Sequence, residues 1–336
     1  MTSQENTIAH IKYSVLDLVP ALQGHSHQEA MRNSLDLAQH VEQWGYNRFW
    51  VSEHHNMVSV ISSATVVLLT YLATGTKSIK IGSGGIMLPN HAPLIVAEQF
   101  GTLETLFPGR IDLGLGRAPG TDQLTANALR QGKQESVQDF PNAVQELQYL
   151  FSKESEDGRV RAIPGEGLEV PIYLLGSSTF SAQLAAKLGL PYAFASHFAP
   201  THLFDALAQY RKYFSLSAKA KKPYTLAAVN IIAADTDKEA QKLATSLHQM
   251  AMGIITGQRH PLPPPVDSME GIWNHQIKAA IESMMHYTFV GSKETIKKQV
   301  EAFVRDTQVD ELIAVSHIYD HEARLKSFKL FSEIFS

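Results

Sequence analysis

Short runs rich in β-branched residues alternate with helical patterns along most of this 336-residue chain. Strands that are each followed by a helix form βαβ units, in which consecutive strands lie parallel. Eight such units can be counted, and eight units in a chain of this length favour a (β/α)8 TIM barrel over a doubly wound sheet. The sequence therefore predicts an α/β protein with a single barrel domain over residues 1–336.

The predicted strands are Ile11–Asp17, RFWVSE, IKIGSGGIML, RIDLGLG, IYLLG, YAFAS, TLAAVNIIAA and ELIAVSH. The predicted helices are Gln28–Trp44, Ser63–Ala73, Leu94–Leu106, Val137–Phe151, Thr179–Leu188, Leu203–Phe214, GSKETIKKQVEAFVRD and Glu322–Phe335.

One segment interrupts this rhythm near the seventh βα unit. Helical patterning after the seventh strand ends near Gly253, and the proline-rich stretch QRHPLPPPVDSMEG follows it. We therefore predict an irregular insertion at about residues 250–285. Long irregular segments of compact barrels are often lids, so Gly253–Gly271 either closes the mouth of the barrel or is a surface excursion without a role.

The composition excludes several classes of function. The chain has no cysteine, which rules out disulfides, thiolate catalysis and cysteine metal sites, and a cytoplasmic location is expected. The net charge of −4, without a basic stripe, argues against nucleic acid as a partner. We expect no membrane association, because no uninterrupted apolar stretch is long enough to span a bilayer.

The second predicted strand ends in the polar run Glu53-His54-His55-Asn56. Side chains at successive strand positions point to opposite faces, so one histidine should face a ligand while the other packs behind it. The H-E-x-x-H spacing of zinc enzymes is absent, and we expect no metal site. Five consecutive polar residues at the end of a buried strand favour a functional site here, and Glu53 and Asn56 are predicted to lie in the substrate pocket.

Glycines and arginines follow the third and fourth strands. Gly84 and Gly85 would let a flat ligand approach the backbone or permit an unusual peptide geometry, and an ordinary bulge is the alternative. Arg117 comes directly after the fourth strand, where its planar fork suits a phosphate or a ligand ring. Arg130 is either a second cation of the site or part of a solvated helix face.

The turn after the fifth strand is rich in hydroxyl groups. Free backbone N–H groups, the positive end of a helix dipole and several hydroxyls together form a cradle for phosphate. Serine and threonine also cap helices without any ligand, but this turn has more hydroxyls than capping requires. The predicted cofactor-binding residues here are Gly176, Ser177, Ser178, Thr179 and Ser181.

Two further histidines come at strand ends. His197, after the sixth strand, is a candidate pocket wall or proton donor. His317, after the eighth predicted strand, is interpreted as structural.

At these residues the chain resembles the bacterial luciferase-like flavin monooxygenases over nearly its full length. The segments that carry the resemblance are FWVSEHHN, IGSGGIMLPNHAPLIVAEQFGTLETLFPGRIDLGLGRAPG, IYLLGSSTFSAQLAAKLGLP and VGSKETIKKQV. The family fold is a (β/α)8 barrel with an inserted region near the seventh unit, as the periodicity also predicts.

The resemblance implies roles for individual residues. His54 maps to the family's catalytic histidine, and His55 to the neighbour that shapes the site. Arg117 and Arg130 map to flavin-site arginines, and the family's cis peptide beneath the flavin ring falls at Gly84-Gly85. The phosphate segment of the family maps to Ser177, Ser178, Thr179 and Ser181.

The resemblance also implies chemistry and partners. It implies FMN as cofactor, in reduced form, supplied by a separate NAD(P)H flavin reductase and used with O2 on a small organic substrate, by a homodimer. Luciferase's cysteine before the arginine is Gly116 here, so its thiol features do not transfer, and its acidic phosphate-segment residue is replaced by Ser177.

Two other functions are compatible with these residues. One is a hydride-transfer oxidoreductase dependent on the deazaflavin coenzyme F420, since that branch shares the barrel. The other is a non-catalytic flavin-binding protein that has kept the fold.

Overall fold

A computed structural model of the chain describes residues 8–118, 120–130, 139–216 and 222–336. Its strands are β1 (Lys12–Asp17), β2 (Arg48–Val51), β3 (Lys80–Met87), β4 (Ile111–Gly116), β5 (Ile172–Gly176), β6 (Tyr192–Phe194), β7 (Thr225–Ala233), β8 (Thr288–Gly291) and β9 (Glu311–Val315). Its helices are α1 (His27–Gln43), α2 (Thr65–Gly75), α3 (Pro93–Leu106), α4 (Gln123–Arg130), α5 (Phe140–Leu150), α6 (Thr179–Leu188), α7 (Leu203–Tyr213), α8 (Asp237–Thr256), α9 (His275–Met284), α10 (Lys293–Thr307) and α11 (His321–Ser332).

The strands close into an eight-stranded parallel barrel. Strands β1 to β6 are neighbours in chain order, β6 pairs with β7, β7 pairs with β9, and β9 pairs with β1. The predicted (β/α)8 barrel is therefore confirmed, and its eight strands are the eight read from the sequence.

Strand β8 is an addition that the sequence analysis missed. It pairs with the distal half of β7, from Asn230 to Ala233, while the proximal half of β7 closes the barrel. The four residues of β8 are too few to show an alternating pattern, and its last residue, Gly291, is the first residue of the following predicted helix. Helix α9 was also not predicted.

Alternation along each strand separates two apolar layers. Phe49 and Val51 of β2 face the helices, in the large cluster between barrel and helices. Trp50 faces inward, where it packs with side chains from β1, β5, β6, β7 and β9. Extending this period of two beyond β2 places His54 on the inner side and His55 on the outer side.

A buried ionic network fills the barrel at the amino-terminal ends of its strands. Arg48 Nε and Nη2 donate to the two carboxylate oxygens of Glu311 at 2.7 and 3.1 Å, and its Nη1 donates to Asp112 at 2.5 Å. Ser14 and Tyr224 also donate to Glu311. Burial works to raise the pKa of Glu311, but Arg48 and these donors hold that pKa below its usual value. The network lies at the end of the barrel opposite to the site described below.

The predicted insertion contains two helices around a proline-rich turn. Helix α8 continues past Gly253 to Thr256, and the following turn is fastened to the loop after β1. There Leu262 donates its N–H to the carbonyl of Ala21 at 2.7 Å and accepts from Gln23 at 2.9 Å.

The other predicted helices agree with the structure to within a few residues at their ends. The predicted start of the helix at Val137 lies outside the described residues, and that helix is observed from Phe140. None of the described helices combines the length and apolar character that crossing a bilayer requires.

Candidate functional site

A cavity of about 420 Å³ opens at the carboxyl-terminal ends of the barrel strands. This end is where barrel enzymes place their sites, and the volume is in the range of cofactor pockets. Among the predicted site residues, those that line the cavity are His54, Gly84, Gly85, Arg117, Gly176, Ser177, Ser178, Ser181 and His197. Most of the lining is apolar, and no aspartate or glutamate belongs to it in the described residues.

His54 is the half-buried histidine that the end of β2 presents to this cavity. Its Nδ1 lies 3.4 Å from the carbonyl oxygen of Gly120, an acceptor only, so the neutral ring carries its proton on Nδ1. The lone pair of Nε2 then has no hydrogen-bond partner in the part of the chain that the structure describes. Burial lowers the pKa of His54, against a raising effect of the Gly120 contact and the Glu53 charge. His54 is thus a neutral base at neutral pH.

Glu53 and His55 lie behind the cavity wall, not in it. Glu53 is buried and accepts at one oxygen from His55 Nε2 and His91 Nε2, both at 2.8 Å, while Met87 N–H donates to its other oxygen at 3.1 Å. Burial opposes ionisation, but these donors lower the pKa of Glu53 to about 2. The carboxylate is a clamp that joins the ends of β2 and β3, so the structure does not place Glu53 in the substrate pocket.

The same three residues form a group with the composition of a metal site. The ligand atoms of Glu53, His55 and His91 lie within 4.8 Å of one another. The short hydrogen bonds between them account for this geometry without an ion.

Asn56 is also outside the cavity lining, because the chain turns away at this point. It adopts a positive φ of 52°, and its Nδ2 donates to Thr125 Oγ1 at 3.0 Å and to Asp122 at 3.3 Å. These bonds tie the end of β2 to the start of α4, so the predicted substrate contact is replaced by a structural one.

The glycine pair of β3 forms part of the cavity wall, and the Gly84-Gly85 peptide bond is cis, as the resemblance implied. A Cβ on Gly84 would come within 2.6 Å of Leu16 Cδ1, and one on Gly85 within 2.6 Å of the Gly114 carbonyl. A side chain at Gly85 would thus clash with backbone, whereas one at Gly84 would require Leu16 to move, and with two glycines this part of the wall is backbone.

The predicted anion cradle lies at the start of α6. Five other helices, α1, α8, α9, α10 and α11, begin with a side chain that accepts a hydrogen bond from their first turn. Ser178, at the corresponding position of α6, makes no such bond, and the first turn of α6 holds no acidic residue. The starts of α2, α3, α5 and α7 also lack a side-chain cap, so this feature alone does not mark a site. At α6 the first N–H groups lie beside the cavity, at the positive end of the helix dipole.

Arg117 joins this cradle from the end of β4. Its guanidinium carbon lies 4.2 Å from the ring centroid of Phe180, in the first turn of α6. Ser181 is less available, since its buried hydroxyl donates to the Ser178 carbonyl at 2.9 Å and contacts the Tyr192 hydroxyl. The predicted cradle and the predicted arginine are therefore brought together, although Thr179 is not part of the lining.

Arg130 is not part of the cavity lining either. Its Nε donates to Asn90 Oδ1 at 3.3 Å, and its Nη2 is buried without a partner in the described residues, which end at Arg130 on this side.

His197 and His317 are both buried, and both belong to the cavity lining. Burial, together with the neighbouring His317 and His54, lowers the pKa of His197 to about 3. Burial and Arg324 lower the pKa of His317 to about 4, against a raising effect of Asp17. Both rings are neutral at neutral pH. His317, interpreted from the sequence as structural, is thus a cavity residue.

Replacing His317 with phenylalanine should make stability less dependent on pH. The folded-state pKa of about 4 lies below the usual 6.5, so the unfolded chain binds the proton more readily. Stability is therefore complete above pH 6.5 and falls by about 1.4 kcal/mol per pH unit as the pH drops towards 4. Urea unfolding at pH 7 and pH 5 should show a smaller loss for His317→Phe than for the parent. An equal loss in both, with exposed His202→Phe as the control, would contradict this assignment.

Four apolar cavity residues come from the predicted insertion and were not foreseen. Met250 and Ile254 belong to α8, and Met284 and Met285 lie at the end of α9. The proline-rich turn between these helices contributes no lining residue within the described part of the chain. The helical spacing of Met250 and Ile254 was the available signal, but it does not distinguish a cavity wall from a core.

The architecture and the position of the cavity define a (β/α)8-barrel protein with its site at the carboxyl-terminal strand ends. Residues 11–311 match the family model described as luciferase-like monooxygenase. The chain belongs to the luciferase-like monooxygenase family, as its sequence resemblance indicated, and this membership supports an oxidoreductase.

Curated relatives match over nearly the whole chain. An uncharacterised protein, YvbT of Bacillus subtilis, is 52% identical and covers 96% of both chains. A luciferase-like monooxygenase of Escherichia coli is 48% identical, over 96% of this chain and 97% of its own. The N-acetyl-S-alkylcysteine monooxygenase of Bacillus subtilis is 31% identical, over 96% and 98%.

Solved structures share the fold. Apo-MsnO8 superposes with a TM-score of 0.91 at 33% identity, covering 97% of this chain and 98% of its own. The oxygenating constituent of 3,6-diketocamphane monooxygenase from Pseudomonas putida, in complex with FMN, gives 0.72 at 17% identity over 97% and 98%. An F420-dependent secondary alcohol dehydrogenase gives 0.69 at 16% identity over 97% and 99%. The last two likenesses concern the fold alone.

Proposed function

We propose that this protein is a monooxygenase that uses reduced FMN, supplied by a separate NAD(P)H-dependent flavin reductase, to insert one atom of O2 into a small organic substrate. The observation that carries the proposal is the anion cradle. There the Ser178 side chain makes no capping hydrogen bond to the first turn of α6, and Arg117 lies beside that turn. The cradle suits a terminal phosphate, and the flat wall at Gly84-Gly85 suits the flavin ring.

Each part of the cavity then has a task. Reduced FMN supplies two electrons, so that one oxygen atom enters the substrate and the other leaves as water. The N–H groups of α6 and the guanidinium of Arg117 bind and orient the phosphate. His54, which lines the cavity, would accept and return a proton at Nε2. The apolar side chains of α8 and α9 exclude water from the reacting atoms.

Binding and oxidation measurements test this proposal. Under anaerobic conditions, reduced FMN should bind more tightly than oxidised FMN. After mixing with O2, the protein should delay the appearance of oxidised flavin and lower the yield of hydrogen peroxide relative to free reduced FMN. F420, added as a competitor, should not displace FMN. Tighter binding of F420, or flavin oxidation that is indifferent to the protein, would refute the FMN monooxygenase.

Replacing Arg117 with methionine should weaken FMN binding by about 10- to 100-fold, the loss expected for a charge-assisted hydrogen bond to phosphate. The affinity for riboflavin, which lacks the phosphate, should stay the same. Fluorescence quenching of the two flavins measures both affinities, and Arg305→Met, at an exposed arginine paired with Asp306, is the matched control. Equal losses for FMN and riboflavin would instead place Arg117 at the ring.

A further inference from the structure

Thioether groups are concentrated at the cavity. The chain has no cysteine, so methionine provides its only sulfur, and methionine sulfoxide is a common product of attack by oxidants. Five of the nine methionines belong to the cavity lining, namely Met57, Met87, Met250, Met284 and Met285. An oxidant that forms in this cavity would therefore contact thioethers before it reached the solvent.

Met87, the last residue of β3, packs against two glycines of other segments. A Cβ placed on Gly116 would lie 2.9 Å from the sulfur of Met87. A Cβ placed on Gly120 would lie 3.0 Å from Cγ and 3.3 Å from Cε of the same side chain. The Met87 side chain therefore fills the space that a side chain at either glycine would need.

Both glycines adjoin residues of the proposed flavin site. Gly116 directly precedes Arg117, whose guanidinium lies beside the first turn of α6. The carbonyl oxygen of Gly120 lies 3.4 Å from His54 Nδ1 and fixes the proton of that ring. A change in the bulk or polarity of the Met87 side chain would therefore act on Arg117 and on His54 through these glycines.

Oxidation of the sulfur makes such a change. A sulfoxide turns a flexible apolar side chain into a polar one with an additional oxygen atom. The Met87 backbone is held in place, because its N–H donates to the buried carboxylate of Glu53 at 3.1 Å. The new oxygen either presses on Gly116 and Gly120 or projects into the cavity, and both positions oppose the binding of a flavin.

We propose that Met87 is a modification site, at which hydrogen peroxide formed in the cavity oxidises the thioether and thereby weakens flavin binding. The peroxide arises when reduced flavin gives two electrons and two protons to O2 without a substrate. The O–O bond then breaks as the Met87 sulfur takes one oxygen atom and loses two electrons, and the other oxygen leaves as water. This inference rests on the proposed function, which supplies the peroxide.

Treatment with added hydrogen peroxide tests the site without flavin turnover. After treatment the peroxide is removed with catalase, and FMN affinity is measured by fluorescence quenching. We expect a loss of about 5- to 100-fold, the effect of an added atom in a filled site. Peptide mapping should show that this loss follows the fraction of sulfoxide at Met87. An unchanged affinity when Met87 is fully oxidised would overturn the proposal.

Methionine replacements locate the effect. Met87→Leu removes the sulfur at similar volume, so its FMN affinity should be the same before and after treatment. Met57→Leu, at another methionine of the cavity lining, is the matched control and should lose affinity on treatment as the parent does. Each variant is compared with itself, so an effect of the replacement alone cancels. A Met87→Leu protein that does not fold is replaced by Met87→Ile. A loss in the treated Met87 variant equal to that of the parent would refute the assignment.

Turnover without a substrate tests the source of the peroxide. The protein is mixed repeatedly with reduced FMN and O2 in the presence of catalase, which removes peroxide from the solution. Sulfoxide should form faster at Met87 than at Met252, a half-buried methionine outside the cavity lining. Equal rates at the two methionines would contradict an oxidant that forms in the cavity.

The two proposals can fail separately in these experiments. A parent protein that does not bind FMN before treatment refutes the proposed function, whatever happens at Met87. A parent that binds FMN and keeps its affinity once Met87 is oxidised refutes the modification site and leaves the proposed function intact.

Discussion

Replacing His54 with alanine should lower the turnover of the reductase-coupled reaction by about 10²- to 10⁴-fold, the range for loss of a general acid or base. FMN affinity should change little, because the proposed phosphate site is at α6 and Arg117. The reason is the lone pair on Nε2, which the Gly120 contact at Nδ1 leaves without a partner among the described residues. Oxygen consumption measures turnover, and fluorescence quenching measures FMN binding.

Two comparisons make this result specific. Added imidazole should restore part of the activity of His54→Ala, since the free base can occupy the vacated volume. His202→Ala should match the parent, because His202 is exposed and outside the cavity lining. If FMN binding fell as much as turnover, His54 would be a binding residue. If the parent and His54→Ala were alike in every oxidation assay, a non-catalytic flavin-binding protein would be favoured.

Replacing Arg48 with methionine should lower the free energy of unfolding by about 3–5 kcal/mol, the cost of leaving buried charges without their partner. Glu311 and Asp112 are almost inaccessible to solvent, and Arg48 is the cation that faces both. Urea unfolding at pH 7 measures the loss. Combining Arg48→Met with Asp112→Leu and Glu311→Leu should recover much of it, because the triple variant contains no unpaired charge.

The control for this prediction is a surface ion pair. Arg305 lies 2.9 Å from its neighbour Asp306 at an exposed position, and Arg305→Met should change stability by less than about 0.5 kcal/mol. FMN affinity of a folded Arg48→Met protein should match that of the parent, since the network lies at the far end of the barrel. A loss below 1 kcal/mol would mean that the buried carboxyl groups take up protons at little cost.

The barrel could be predicted from the sequence because each strand and helix repeats a local pattern. The turn that carries the proposed cradle could be predicted for the same reason, since Gly176 to Ser181 are contiguous and join a strand to a helix. The buried network could not, because Ser14, Arg48, Asp112 and Glu311 come from four strands far apart in the chain. Their proximity is a consequence of barrel closure, which local patterns do not encode.

The end of β2 shows the same limit on a smaller scale. Alternation correctly separated His54 from His55, and it also implied that Glu53 shares the outer side with His55. When the polar run is treated as one patch, Glu53 is placed in the pocket with His54. His91, which also donates to Glu53, follows a different strand. The cavity contribution of Met250 and Met285 depended on how α8 and α9 fold back over the barrel, which no local pattern specifies.

The divided use of β7 has a consequence for how such proteins diversify. The proximal half of β7 closes the barrel, and its distal half pairs with β8. The segment between β7 and β8, which contains α8 and α9, is therefore attached to a strand that the barrel already holds in place. Insertions, deletions and substitutions in this segment leave the closure of the barrel unchanged, but they alter one wall of the cavity. Related proteins can therefore differ in the molecules that they accept through changes in this one contiguous segment, without changes to the barrel.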